Sequence, residues 1–364
     1  MSDREPRPGA TGDLAAGPVC PVPLAHDERI VLGHGGGGRL TGDLIARVFR
    51  PLLGNPYLDA GEDAAVLPTG ALGDAGELAF TTDTHVVKPL VFPGGDIGRL
   101  AVCGTVNDLA VMGAEPLWLS AGFLLEEGLA MAELARIVAS MRDAAAEAGV
   151  EIVAGDTKVV ERGAVDRMAI TTAGVGRILP GRAARAARIR PGDAILLSGY
   201  LGDHGIAVLA ARGELAFRTA IASDAAPLGD LVAAMAATGA DLHALRDPTR
   251  GGLAASLAEL ADQSGTALIA REAALPIRDE VASACEMLGF DPLHVANEGK
   301  LVACVPDADA ERVLAAMRAH PRGRDACRIG RVEADPAGRV LLETTIGGTR
   351  IVDVPAGELL PRIC

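Results

Sequence analysis

Aromatic side chains are nearly missing from this sequence: six Phe, two Tyr and one Trp in 364 residues. The chain is nonetheless 49% hydrophobic, so Ala, Val, Leu and Ile must fill the interior. Lysine is as scarce. Only Lys88, Lys158 and Lys300 stand among 34 basic side chains, the rest being arginine. A lysine that survives such a bias either marks a place where a compact ammonium fits and a planar guanidinium does not, or survives by chance. Positive charge is short overall, and a net charge of −14 excludes a nucleic-acid groove or an anionic membrane surface, both of which need a basic field. An anionic substrate stays compatible where metal ions or a few placed cations neutralise it. The six cysteines, at 20, 103, 285, 304, 327 and 364, form no CxxC pair, which excludes the usual zinc and iron–sulfur spacings. No apolar run approaches the roughly 18 residues of a membrane span. Residues 1–28 are rich in Pro, Gly and charge without an apolar h-region, which predicts a disordered extension and not a signal peptide. The expectation is a cytoplasmic protein with reduced thiols.

What is present reads as two α/β units. The first is expected over 29–180. It has a glycine run at 33–38, a strand at 78–87, a helix capped by Asp96 and closed by Gly113, and a helix over 131–148 ended by Gly149. The latter helix places Met131, Leu134, Val138, Met141 and Ala145 on one face. Short strands at 150–156 and 167–176 complete the unit. A basic connector over 180–193 leads to the second unit, 181–345, which opens with the continuous apolar strand AILLSG. A hairpin turning at Gly347–Gly348 and a loose tail make up 346–364.

Four carboxylates stand beside glycines and strand ends: Asp63 in GEDAAV, Asp83 in TTDTH, Asp108 in TVNDLAVMGA and Asp156 in AGDTKV. A carboxylate just past an apolar strand lies where α/β folds place ligands. Asp108 sits with Asn107 inside an otherwise apolar helix, where an unpaired carboxylate costs several kcal/mol and needs a partner. Gly104, one turn earlier, leaves that helix surface open to approach. Taken singly, each Asp reads equally as a cap, a turn residue or half of a salt bridge. Taken together, with Lys158 two residues beyond Asp156, they suit Mg²⁺ bound to phosphates. The glycine run can cradle phosphates with its N–H groups, but it is not a Walker A loop because no GK[ST] follows. Asp247 opens DPTRGG, where carboxylate, hydroxyl and guanidinium precede a helix; it suits an anion site or plain capping. Glu298 lies in NEGK, an ordinary charged turn or a base before a strand. Cys364 is an exposed thiol on the final residue, in PRIC.

In this order, GEDAAV, TTDTHVV, GGDIGRLAVCGTVNDLAVMGA, AGDTKVV, DPTRGG, NEGK and PRIC resemble the HypE family of hydrogenase-maturation enzymes. That family lies within the superfamily of aminoimidazole ribonucleotide synthetase and selenophosphate synthetase. The resemblance covers about 29–364, and it implies two α/β domains whose N-terminal sheets pair in a homodimer. It also implies an ATP and Mg²⁺ site near that interface, built from Asp63, Asp83, Thr84, Asn107, Asp108, Asp156, Thr157, Lys158 and Asp247. Asp63, Asp83, Asp108 and Asp156 would hold the metal. The implied activity is ATP-dependent dehydration of an S-carbamoyl group on Cys364 to a thiocyanate, with Lys158 neutralising phosphate and Glu298 as base. A HypF-type carbamoyltransferase would load the thiol, and a HypC–HypD complex would accept cyanide for the iron of a [NiFe] hydrogenase. Two rival readings are a sister synthetase and a non-catalytic thiol carrier. A selenophosphate synthetase would carry Cys or Sec in the glycine-rich segment, which here holds His34.

Overall fold

A computed structural model describes residues 38–44, 46, 62, 65–68, 77–179, 181–213 and 219–354. The helix α1 (Arg39–Leu44) and the strand β1 (Ala65–Pro68) come first. In the first unit β1 joins β2 (Glu77–His85), β5 (Ala114–Glu126), β6 (Glu151–Val160) and β7 (Met168–Ile178) in the order β1-β2-β7-β5-β6. The small hairpin β3 (Val91–Phe92) and β4 (Gly95–Asp96) leads into helix α2 (Ile97–Val111). Asp96 caps α2 by accepting from Arg99 N–H at 3.0 Å, and the chain leaves through Gly113 at φ 77°. Almost every residue of α2 is buried, as its apolar sequence requires, because neighbours cover it on all sides.

Helix α3 (Met131–Ala148) links β5 to β6, which pair in parallel. Its buried stripe is Ile137, Met141, Ala144 and Ala145. Met131 is 79% exposed and Val138 also faces solvent, so the face predicted from sequence is rotated. The cause is the crossing with α2: a side chain at Gly98 would lie 2.4 Å from the Ile137 carbonyl oxygen, so these helices meet nearly backbone to backbone at Ile137. Among the described residues, α2 and α3 cover one face of the sheet and no helix covers the other.

The second unit is a seven-stranded sheet in the order β14-β13-β10-β12-β8-β11-β9. These strands are β8 (Asp193–Leu197), β9 (Ala244–Arg246), β10 (Ala267–Arg271), β11 (Val302–Pro306), β12 (Cys327–Glu333), β13 (Arg339–Glu343) and β14 (Thr349–Ile351). Helix α6 (Gly252–Ser264) packs on one face. Helices α5 (Gly229–Ala237) and α8 (Asp307–Ala319) pack on the other. Helices α4 (Asp203–Ala211) and α7 (Asp279–Leu288) share the core of the first unit. In β8, Ile195 and Leu197 join one core and Ala194 and Leu196 the other, which accounts for its unbroken apolar run. The predicted hairpin is β13–β14, turning through Thr344 to Gly348.

Candidate active site

Asp83 and Asp156 were expected just past strand ends; both lie within strands, β2 and β6. Their Thr- and Val-rich flanks favour extended backbone, so pairing continues beyond the carboxylates. Asp83 turns toward α2. Its carboxylate accepts from Thr84 N–H at 2.7 Å and lies 3.1 Å from Nε2 of buried His85. Burial opposes its charge, but His85, Arg250 and the Thr84 amide outweigh that and hold the carboxyl far below its usual range. Gly104 makes this approach possible, because a side chain there would come 2.8 Å from His85 Nε2 and 3.3 Å from Asp83 Oδ2. The opening read from the sequence is therefore filled by the TTDTH strand itself. One turn along α2, Asp108 accepts from Thr81 Oγ1 at 2.8 Å. Asp83 and Asp108 thus line one seam, about 6 Å apart along the helix.

The second unit closes over this seam with two loops. In DPTRGG, Asp247 is buried and does not cap α6, whose N-cap is Gly251 at φ 77°. Arg250 reaches to 3.7 Å from Asp83 Oδ1. The NEGK loop is tied to DPTRGG where Asn297 donates from its backbone and its side chain to the Pro248 carbonyl, at 3.1 and 2.9 Å. Glu298 is buried, and its carboxyl is raised well above the usual range by that burial and then by the charges of Asp247, Asp83 and Asp224. Asn107 links the units: its amide donates to the carbonyls of Ala226 (3.1 Å) and Glu298 (3.4 Å), and its Oδ1 accepts from Leu228 N–H at 2.8 Å.

The structure therefore brings together Asp83, Asp108, Asn107, Asp247 and Glu298. It separates Asp156, Thr157 and Lys158, which lie exposed on β6 at the far edge of the sheet. Asp156 shares a rung with Gly122, Thr171 and Thr84, and Asp83 shares the next with Thr172. Thr172 bonds to Thr105 of α2, so Asp83 faces the helices while Thr84, Asp156 and Lys158 project from the open face. Asp63 and Cys364 lie outside the described residues, as does all of the glycine run except Gly38. Among the described residues, no three His, Cys, Asp or Glu side chains converge as a metal cluster. Asp83 and Asp108 nonetheless fit a hard divalent cation: both are oxygen donors on one seam, and the carboxylate excess around them favours positive charge. His85 and Asp224 were missed as site residues, and the guanidinium of DPTRGG, read as suiting an anion site, meets the carboxylate of Asp83. The His of TTDTH and the Arg of DPTRGG were visible signals, whereas Asp224 stands in no motif.

Two family models cover most of the chain: AIR synthase related protein, N-terminal domain, over residues 61–178, and its C-terminal domain over 190–343. The chain is 56% identical over 340 residues to carbamoyl dehydratase HypE of Rhodobacter capsulatus, spanning 93% of this chain and 99% of that protein. The chain belongs to the HypE carbamoyl dehydratase family. Solved HypE structures share the fold. One in complex with ATP superposes with TM-score 0.77 at 49% identity, covering 92% of this chain and all of the other. One from a HypE–HypF complex gives TM-score 0.81 at 49% identity, covering 86% of this chain and 99% of the other. Against this family, the cleft between the two units holds the TTDTH strand and the DPTRGG and NEGK loops in mutual contact.

Proposed function

We propose that the chain uses ATP to dehydrate an S-carbamoyl group on Cys364 to a thiocyanate, the source of cyanide ligands for the iron of a [NiFe] hydrogenase. The observation that carries this reading is the meeting of TTDTH, DPTRGG and NEGK in one cleft, where Arg250 reaches Asp83 and Asn297 ties the loop of buried Glu298 to DPTRGG. A thiocarbamate oxygen is a poor leaving group. Its attack on the γ-phosphorus releases ADP, and one nitrogen proton is lost as the O-phosphoryl imidate forms. The C–O bond then breaks, phosphate departs with the oxygen, and the second nitrogen proton leaves as C≡N forms. Glu298 is the base for nitrogen, and a carboxylate whose pKa is raised by burial is a stronger base than an ordinary one. Asp83 and Asp108, with Asp63 and Asp156, would hold Mg²⁺, which when bound neutralises phosphate charge. Lys158 supplies a compact positive charge to phosphate, and Thr84, Thr157 and Asp247 line the nucleotide site. Asn107 acts by joining α2 to the NEGK loop.

Because Asp156 and Lys158 point away from Asp83 within one chain, this reading requires a homodimer in which Asp156 and Lys158 of one chain reach past the strand ends to the Asp83 seam of the other. It also assigns ATP binding and dimerisation to residues 29–180, with the thiol carried on a tail over 346–364. A HypF-type carbamoyltransferase supplies the carbamoyl group, and a HypC–HypD complex takes the cyanide. Intact-mass analysis after incubation with that transferase, carbamoyl phosphate and ATP tests the reading. One carbamoyl adduct on Cys364, followed by loss of one water in step with ATP consumption, is expected. An adduct that persists in the presence of ATP reduces the protein to a thiol carrier.

A further inference from the structure

Between α2 and the second sheet runs an irregular segment, residues 219–228, bonded to both units. Ser223 donates from its backbone to the Pro93 carbonyl at 2.7 Å, and its hydroxyl lies 2.8 Å from Nδ1 of buried His204. Arg99 of α2 donates to the Ala225 carbonyl at 2.7 Å, and Asn107 donates to that of Ala226. At the centre is Asp224, whose side chain is 5% exposed. One carboxylate oxygen accepts from Glu298 N–H at 3.0 Å, and the other accepts from Lys300 Nζ at 3.0 Å. The Asp224 carbonyl oxygen would lie 1.9 Å from a side chain at Gly299, so NEGK closes down on this residue only with glycine there. Ala226 N–H donates back to the Glu298 carbonyl at 3.3 Å. Lys300 completes the clasp by donating to the Gly299 carbonyl at 3.3 Å, and its stem lies 3.2 Å from where a side chain at Gly199 would stand. A compact ammonium serves both acceptors here, which gives a reason for one of the three lysines.

We propose that Asp224 is a positioning residue for Glu298, an inference that rests on Glu298 being the base. Both peptide groups of Glu298 are fixed from the 223–228 segment, N–H by Asp224 and C=O by Ala226, and Asn107 of α2 binds the same carbonyl. The direction in which the Glu298 side chain leaves the backbone is therefore set by a strand of chain that is itself anchored to α2, the helix carrying Asp108. Asp224 thereby transmits the geometry of the first unit to the base on the second. Burial opposes its charge, and Lys300 with His204 outweighs that, so the acceptor stays ionised. A base displaced by about 1 Å loses on the order of a hundredfold in rate.

The test compares two double variants that both lack the ion pair and differ only in the acceptor for the Glu298 amide. Asp224→Asn/Lys300→Met keeps an oxygen for that N–H, whereas Asp224→Ala/Lys300→Met removes it. Each is loaded by the transferase with carbamoyl phosphate, and single-turnover dehydration is followed by intact mass at several ATP concentrations. The Asn variant is expected within about threefold of wild type, and the Ala variant about a hundredfold slower in kcat with ATP KM and carbamoyl loading unchanged. If the Ala protein does not fold, Asp224→Ser/Lys300→Met replaces it, being too short to reach the amide. Equal kcat in the two double variants, or a loss confined to ATP KM, overturns the positioning role. Glu298→Gln, run alongside, separates the two ideas. Wild-type dehydration by Glu298→Gln removes the base and the proposal with it. An inactive Glu298→Gln beside equal double variants removes the clamp alone.

Discussion

Asp83 is kept ionised by neighbours that work against its burial, while Glu298, in the same cleft, is pushed toward its neutral form. Two carboxyl groups driven in opposite directions suit opposite tasks, one holding cationic charge and one moving a proton. Asp83→Asn keeps the shape and removes the charge. It is expected to lower ATP turnover by about a hundredfold or more while leaving the unfolding midpoint close to wild type. Normal turnover in a folded Asp83→Asn protein would remove Asp83 from the site. Lys158 is exposed on β6, so replacing it with Arg costs the fold little. Lys158→Arg is nonetheless expected to slow dehydration by about tenfold, because a fork of donors does not reproduce a point charge on phosphate. A wild-type rate would make that lysine incidental. These residues stand out in the sequence because they sit in compact motifs of Asp, Gly and Lys. Asp224 does not, because its role depends on Glu298, 74 residues away, and nothing local in IASDAAPL announces that contact.

Helix α2 joins the parts of the site, since successive faces of it meet the TTDTH strand through Gly104, the sheet through Thr105 and the second unit through Asn107. Its ends were legible from Asp96 and Gly113, and its near-complete burial from its largely apolar sequence. The orientation of α3 was not legible, because Met131 and Val138 extend the apolar face of Met141 and Ala145 as regularly as Ile137 and Ala144 do. Only the close crossing at Gly98 selects Ile137 and Ala144. Strand ends were misjudged for a related reason: carboxylates look like terminators, but on alternating faces they are tolerated wherever one face is wet. The tight seam gives an element-scale prediction. Gly104→Ala would push a methyl group against His85 and Asp83, costing about 1–3 kcal/mol of stability by overpacking. ATP turnover should fall by about tenfold or more, beyond anything the stability loss explains at a temperature where the variant is folded. Denaturant melts paired with ATPase assays check both halves, and an active, equally stable variant contradicts the close approach.

At the scale of the whole molecule, Glu147 of α3 ties the units together, bonded to Arg99 at 2.7 Å and to Arg322 at 2.6 Å. The Arg99 hydrogen bond is the main cause holding its carboxyl below the usual range, with Arg322 adding to it. A depressed folded-state pKa means its stabilisation is present above the ordinary glutamate range and is lost as pH falls through the folded value. Glu147→Gln should therefore flatten the acid side of the stability curve, by no more than about 1 kcal/mol for so open a pair. Urea melts from neutral to acidic pH check this, and an unchanged slope removes the linkage. The open face of the first sheet raises a larger question. Phe80, Val175 and Trp118 form one rung there, with Phe80 44% and Trp118 50% exposed. Asp156 and Lys158 lie on that same face, three strand spacings from Asp83, or about 14 Å, and on the opposite side of the sheet. Ligands to one Mg²⁺ sit about 2 Å from it, so Asp83 and Asp156 of one chain cannot share an ion. If the open faces pair with β6 of one chain passing the Asp83 end of its partner's β2, each site takes Asp83 from one chain and Asp156 from its partner. Asp83→Asn and Asp156→Asn proteins should each be inactive alone. Unfolded together and refolded, half of the dimers are mixed, and each mixed dimer regains one site with both carboxylates native. Turnover should then recover to about one quarter of wild type, as random pairing in a two-fold dimer requires. Adding Trp118→Arg to both chains should abolish the recovery by preventing pairing. No recovery in the mixed protein, with dimers confirmed by sedimentation, would place both carboxylates in separate roles within a single chain.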